Sequence, residues 1–143
     1  MTSALVVLLL AFAPPPPSSL DQVKAEPNLE RRAKLAIDFA VAAEKLAETA
    51  YSNGDMTQTA DMLKITAEAM TIAQDSLLAT GKKPGRNPAP YKYGEQRSRE
   101  LLVRLGDLQR KMDAEERETI DAPMAKVQEI HDSWFEGIMG KSK

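Results

Sequence analysis

Leu29, Ala33, Ala36, Ala40, Ala43, Ala47 and Ala50 recur at alternating spacings of four and three residues. That period keeps all seven on one stripe of an α-helix, whereas a strand would scatter them over both faces. The segment can bury them together only as a helix. Six of the seven are alanine, and small side chains let a neighbouring backbone come close, so a tightly packed partner helix is expected. Leu35, Phe39, Ala42 and Leu46 form a second apolar ridge beside the first. Arg31, Lys34, Asp38, Lys45 and Glu48 then read as the solvent face.

The ends of this helix are marked. Asn28 follows Pro27 and is a good N-cap. Tyr51-Ser52-Asn53-Gly54-Asp55 stops it, with Gly54 suited to the left-handed residue that ends a helix. Asp55 caps the next helix, and Gln58 three residues on completes a capping-box pattern. The second helix has its own seam at Met56, Ala60, Leu63, Ala67, Met70, Gln74 and Leu77, and ends at Thr80-Gly81. Residues 28–80 are thus expected to form one antiparallel hairpin with arms of about 25 residues, near 38 Å.

Residues 81–90, GKKPGRNPAP, read as a loop. Asn87 is the expected cap of a third helix whose first turn tolerates Pro88 and Pro90. Its seam is Tyr91, Gly94, Ser98, Leu101, Leu105, Leu108 and Met112. Asp113 to Glu116 has the form of a new capping box, although no glycine ends the third helix, which leaves one continuous kinked helix as the alternative. A short turn at 114–120 and a fourth helix over 122–139 follow. The fourth seam is Met124, Val127, Ile130 or His131, Trp134 and Ile138.

Four elements of similar length call for an all-α fold: an antiparallel four-helix bundle built from two long helical hairpins, running up-down-up-down. The other arrangement is a pair of hairpins that pack loosely or close only on dimerisation. Residues 20–143 make a single helical domain. Ahead of it, Ala4 to Ala13 is an apolar run of ten residues, about half the length needed to cross a bilayer. It matches the apolar core of a secretory signal, and Ala11-Phe12-Ala13 fits the small-x-small cleavage pattern. Residues 1–19 therefore read as a signal peptide followed by a proline-rich spacer, with no stable transmembrane span after cleavage. The mature protein is expected in the periplasm or outside the cell.

The chain has no cysteine, which rules out disulfides, thiolate zinc sites, iron–sulfur clusters and covalent haem. Charge is unevenly placed. Residues 82–111 carry nine basic and three acidic residues, and 113–136 carry two basic and eight acidic. These opposite blocks attract each other if they fold side by side. Residues 21–76 are net acidic, with six basic and ten acidic side chains.

Nothing in the sequence assembles a catalytic group. No phosphate loop or nucleophile motif is present, and His131 is the only histidine. Its helical neighbours at 127, 128, 134 and 135 are Val, Gln, Trp and Phe, so it is expected to be a structural or surface residue rather than a metal ligand. The hairpin is similar in style to exported b-type cytochromes, a resemblance that implies haem held by Met and His. In those proteins the histidine lies about twenty residues past the hairpin glycine, and Gln74 stands there in this chain. Catalytic, metal and cofactor sites are accordingly assigned to no residue. The distinctive surface feature is Lys82, Lys83, Arg86, Tyr91, Lys92 and Tyr93, four cations and two aromatics within twelve residues, a candidate patch for an anionic polymer, headgroup or partner. An exported acidic chain is a poor nucleic-acid binder. The expected function is a non-catalytic interaction or scaffold module of the bacterial periplasm or cell envelope. Its partner is an unknown protein, an envelope component or a second copy; the alternative is a small-ligand, haem or metal-binding helical bundle.

Overall fold

The computed structural model describes residues 19–140 and is helical throughout. The leader and most of the spacer lie outside the described residues. The elements are α1 (Leu20–Lys24), α2 (Leu29–Ser52), α3 (Met56–Ala79), α4 (Pro88–Lys111), a 3-10 turn (Glu116–Thr119) and α5 (Asp121–Ile138).

The turn between α2 and α3 is built as the residues demand. The N–H of Asp55 donates to the Ala50 carbonyl at 2.9 Å and that of Gly54 to Tyr51 at 3.0 Å, the paired bonds of a Schellman ending. Gly54 carries them at φ 76°. The Asp55 side chain accepts from the Gln58 N–H at 2.9 Å, while its own N–H is already committed to Ala50. Gly54→Ala is expected to cost about 1 kcal/mol, because a side chain there is strained at positive φ although nothing crowds it. Urea denaturation of the variant checks it.

The break between α4 and α5 excludes one continuous helix. Met112 turns to ψ 144°, and Asp113 and Glu116 exchange side chain-to-backbone bonds of 2.8 and 3.0 Å, a full capping box. The Tyr51 hydroxyl lies 2.9 Å from the Lys111 carbonyl and 3.1 Å from Glu116, tying this corner to the end of α2.

The alanine stripe of α2 is buried from Ala33 to Ala50 and packs along α3. The second ridge differs from expectation. Leu35 and Phe39 are half-buried, Ala42 is exposed and Leu46 is 56% exposed; the buried row beside the stripe is Ile37, Val41 and Glu44. The seam of α3 is also rotated by about one residue, to Thr59, Leu63, Thr66, Met70, Ala73 and Leu77. Ala60, Ala67 and Gln74 are only half-buried. The hydroxyls enter the core because each is satisfied within its own helix: Thr59 donates to the Asp55 carbonyl at 2.7 Å, Thr66 to Met62 at 2.8 Å and Ser76 to Ile72 at 2.6 Å. The seams of α4 and α5 fall as expected, with Met124, His131 and Ile138 half-buried.

The two hairpins, α2–α3 and α4–α5, lie side by side. Helix α2 packs on α4, and α3 on α5. Side-chain pairs along the first interface ascend together, Glu30 with Asn87, Asp38 with Tyr93 and Glu44 with Arg104, so α2 and α4 run parallel. Direction thus alternates along the chain as expected, while the helices paired across the two hairpins run parallel. The residues at the start of the domain add an element that periodicity missed. Ser19, assigned to the spacer, accepts from the Gln22 N–H at 3.3 Å and caps α1, and Val23 of α1 is fully buried in the core.

Among the described residues no helix is long and apolar enough to cross a membrane.

Candidate functional site

The loop after α3 positions three of the six patch residues on the surface. Gly81 takes φ 67° and turns the chain off α3. Pro84 then rests on α5, where a Cβ added at Gly137 would come within 2.7 Å of its ring. Lys82, Lys83 and Arg86 are exposed on this tethered loop. Lys82 reaches Glu30 at 3.1 Å, and Asn87, standing at the cap position of α4, donates to the same carboxylate at 2.9 Å instead of capping its helix. Lys82, and then Asn87, hold the Glu30 carboxyl below its ordinary value. Lys83 and Arg86 have no carboxylate within 4.0 Å among the described residues.

The aromatics of the patch are placed differently. Tyr91 is buried and its hydroxyl donates to the Lys82 carbonyl at 2.8 Å, so it holds the loop from below. Tyr93 is half-buried against α2: its hydroxyl donates to Asp38, and the Lys34 ammonium sits 5.5 Å from its ring centre. Burial, then the adjacent Asp38, push the Tyr93 phenol up to about 12. Lys92 is exposed on α4. The surface patch is therefore cationic, with the tyrosines as its supports.

Beside the loop is a cleft of about 600 Å³ with Leu78, Tyr91 and Trp134 at its base, lysines on the loop side and Glu129, Asp132 and Glu136 on the α5 side. Leu78 is 68% exposed, and Phe135 and Met139 of α5 are exposed at this same end of the bundle.

Two polar clusters were not legible in the sequence. In the first, Glu44 of α2 is 0% exposed, and Arg104 of α4 donates Nε to its Oε2 at 2.7 Å and Nη2 to Glu48. Glu44 Oε1 is buried without a protein partner. Burial outweighs Arg104 and raises the Glu44 carboxyl above its ordinary value, and the neighbouring Glu48 raises it further. The solvent face assigned to α2 is corrected accordingly, because Lys34, Asp38 and Glu48 all turn toward α4. The available signal was the heptad spacing of Arg97 and Arg104, which places two guanidinium groups along one edge of α4. Arg97 reaches Asp38 at 4.0 Å. The basic block thus finds its cross-helix partners on the carboxylates of α2, not on acidic α5.

In the second cluster, His131 of α5 lies 3.3 Å from Glu95 Oε1 of α4 and 3.2 Å from Asp132 Oδ1, with its ring stacked on Phe135. Both ring nitrogens face carboxylates. A protonated ring donates to both carboxylates and a neutral ring to one. Among the described residues no group of three or more His, Asp or Glu side chains is arranged to hold a metal ion.

Comparison with known proteins brings no relative: no protein family, curated protein or solved structure matches the chain.

Proposed function

We propose that the protein is a small exported, non-enzymatic module of the bacterial periplasm or cell envelope. It holds a negatively charged envelope component or partner protein at the loop end of its bundle. The observation that carries this reading is the company kept by Lys83 and Arg86. Two exposed cations on a tethered loop stand at the same end as the exposed apolar side chains of Leu78, Phe135 and Met139. Cations beside apolar surface suit a partner that is both anionic and partly apolar. Export rests on the apolar run Ala4 to Ala13 and the small residues after it.

Co-sedimentation with the envelope fraction tests the reading. K83E/R86E leaves the Lys82–Glu30 pair in place and alters only exposed side chains, so its melting temperature should stay within about 2 °C of the parent's. Binding should fall about tenfold, and more at low salt than at high. Equal binding by the two proteins, or none by either, would overturn the reading. The intact mass of the exported protein should show loss of a segment ending between Ala13 and Ser19.

A further inference from the structure

A second groove lies between α1, α3 and the first turn of α5, and holds about 500 Å³. That is within the range of small-molecule sites, roughly 300–1,000 Å³. Its floor is apolar: Leu20 of α1, Ala67 and Ile72 of α3, and Ala122 and Pro123 of α5. Its rim carries Lys24, Lys64 and Lys126, one lysine from each of three helices, against the single carboxylate of Glu68.

This convergence runs against local composition. Lys126 is one of only two basic residues in 113–136, where eight are acidic, and Lys24 and Lys64 come from a segment that is also net acidic. Lys24 and Lys64 have no carboxylate within 4.0 Å among the described residues, and Lys126 meets only Glu129, at 3.4 Å in an exposed pair of the kind worth little. The first turn of α5 adds positive potential. No side chain caps this helix, and the Asp121 carboxylate in that turn accepts from Gln109 at 2.9 Å.

We propose that this groove binds a single-chain amphiphilic anion, with its alkyl chain on the Leu20–Ala67–Ile72–Pro123 floor and its carboxylate among Lys24, Lys64 and Lys126. The site shares no residue with the loop end, so it stands or falls independently of the docking reading.

Titration calorimetry of the full chain with dodecanoate, below its micelle concentration, tests the proposal. Dodecanoate should bind about tenfold or more tightly than octanoate, since each fully buried methylene is worth about fourfold. Dodecyltrimethylammonium, with the same chain and the opposite charge, should bind at least tenfold more weakly than dodecanoate. K64E/K126E should lose tenfold or more in dodecanoate affinity, and Thr71→Trp, which fills the groove, should abolish it; melting curves establish that both variants fold. K83E/R86E should bind dodecanoate as the parent does. No binding of dodecanoate, equal binding of the cationic amphiphile, or undiminished binding by folded K64E/K126E would each overturn the proposal.

Discussion

Trp134→Ala is expected to remove about 4 kcal/mol of folding stability, a large share of the total for a domain of this size. The indole is buried and stands between α4 and α5, lying directly on Gly94. A Cβ added at Gly94 would sit 2.7 and 2.8 Å from two ring carbons of Trp134. Gly94→Ala alone should therefore cost about 2 kcal/mol, since the new methyl overlaps the buried ring and one of the two must shift. In the Trp134→Ala background the same change should become favourable by up to about 1 kcal/mol, because alanine is the better helix former once the ring is gone. Urea denaturation of the four proteins closes the cycle. If Gly94→Ala costs the same in both backgrounds, the ring is not what requires glycine there.

The second large effect is electrostatic. Arg104→Met keeps the stem of the side chain and removes the guanidinium that faces Glu44 and Glu48. Breaking a fully buried pair costs about 3–5 kcal/mol. Arg104 is 37% exposed, so water screens part of the loss and about 2–3 kcal/mol is expected at pH 7. The cost should shrink as pH falls and the raised Glu44 carboxyl takes up its proton, since it then no longer needs the cation. Glu44→Gln is the counterpart. The Glu44 carboxyl is raised above its ordinary 4.5 by burial. Its contribution is fully present below that value and is lost as pH rises through the higher folded-state value. The glutamine variant should lack this loss and be within about 1 kcal/mol of the parent, or more stable, at pH 7. Melting curves from pH 4 to 8 compare the three. An Arg104→Met penalty that does not change with pH would remove Glu44 and Glu48 as its cause.

Local signals in the sequence located most of the frame. The Schellman turn at Gly54, the capping box at Asp113 and Glu116, and the seams of α2, α4 and α5 each follow from residues within one or two helical turns of each other, so periodicity and turn chemistry suffice. Most of the misassignments come from reading polarity as exposure and apolarity as burial. Thr59, Thr66 and Ser76 enter the core because their hydroxyls are satisfied by their own helix. Glu44 enters it because Arg104, sixty residues away, meets it there. Leu46 stays outside although it is apolar, because the helices that cover α2 pack on its other flank. The candidate patch was legible as a basic loop, but the tyrosines within it could be seen as supports only once α2 and α3 were in place beneath them.

By itself, the sequence determined that the four long segments are helices, where α2 and α3 begin and end, and that those two fold back on each other. Each of those outcomes is decided by short-range contacts that the local residues carry with them. Only the tertiary structure decided that the hairpins pair α2 with α4 and α3 with α5 in parallel, which charges are buried between them, and that lysines from three helices share one groove. Those outcomes depend on how stripes of similar width and apolarity choose among partners, and that choice is made by long-range pairs such as Glu44 with Arg104 and Asp38 with Tyr93.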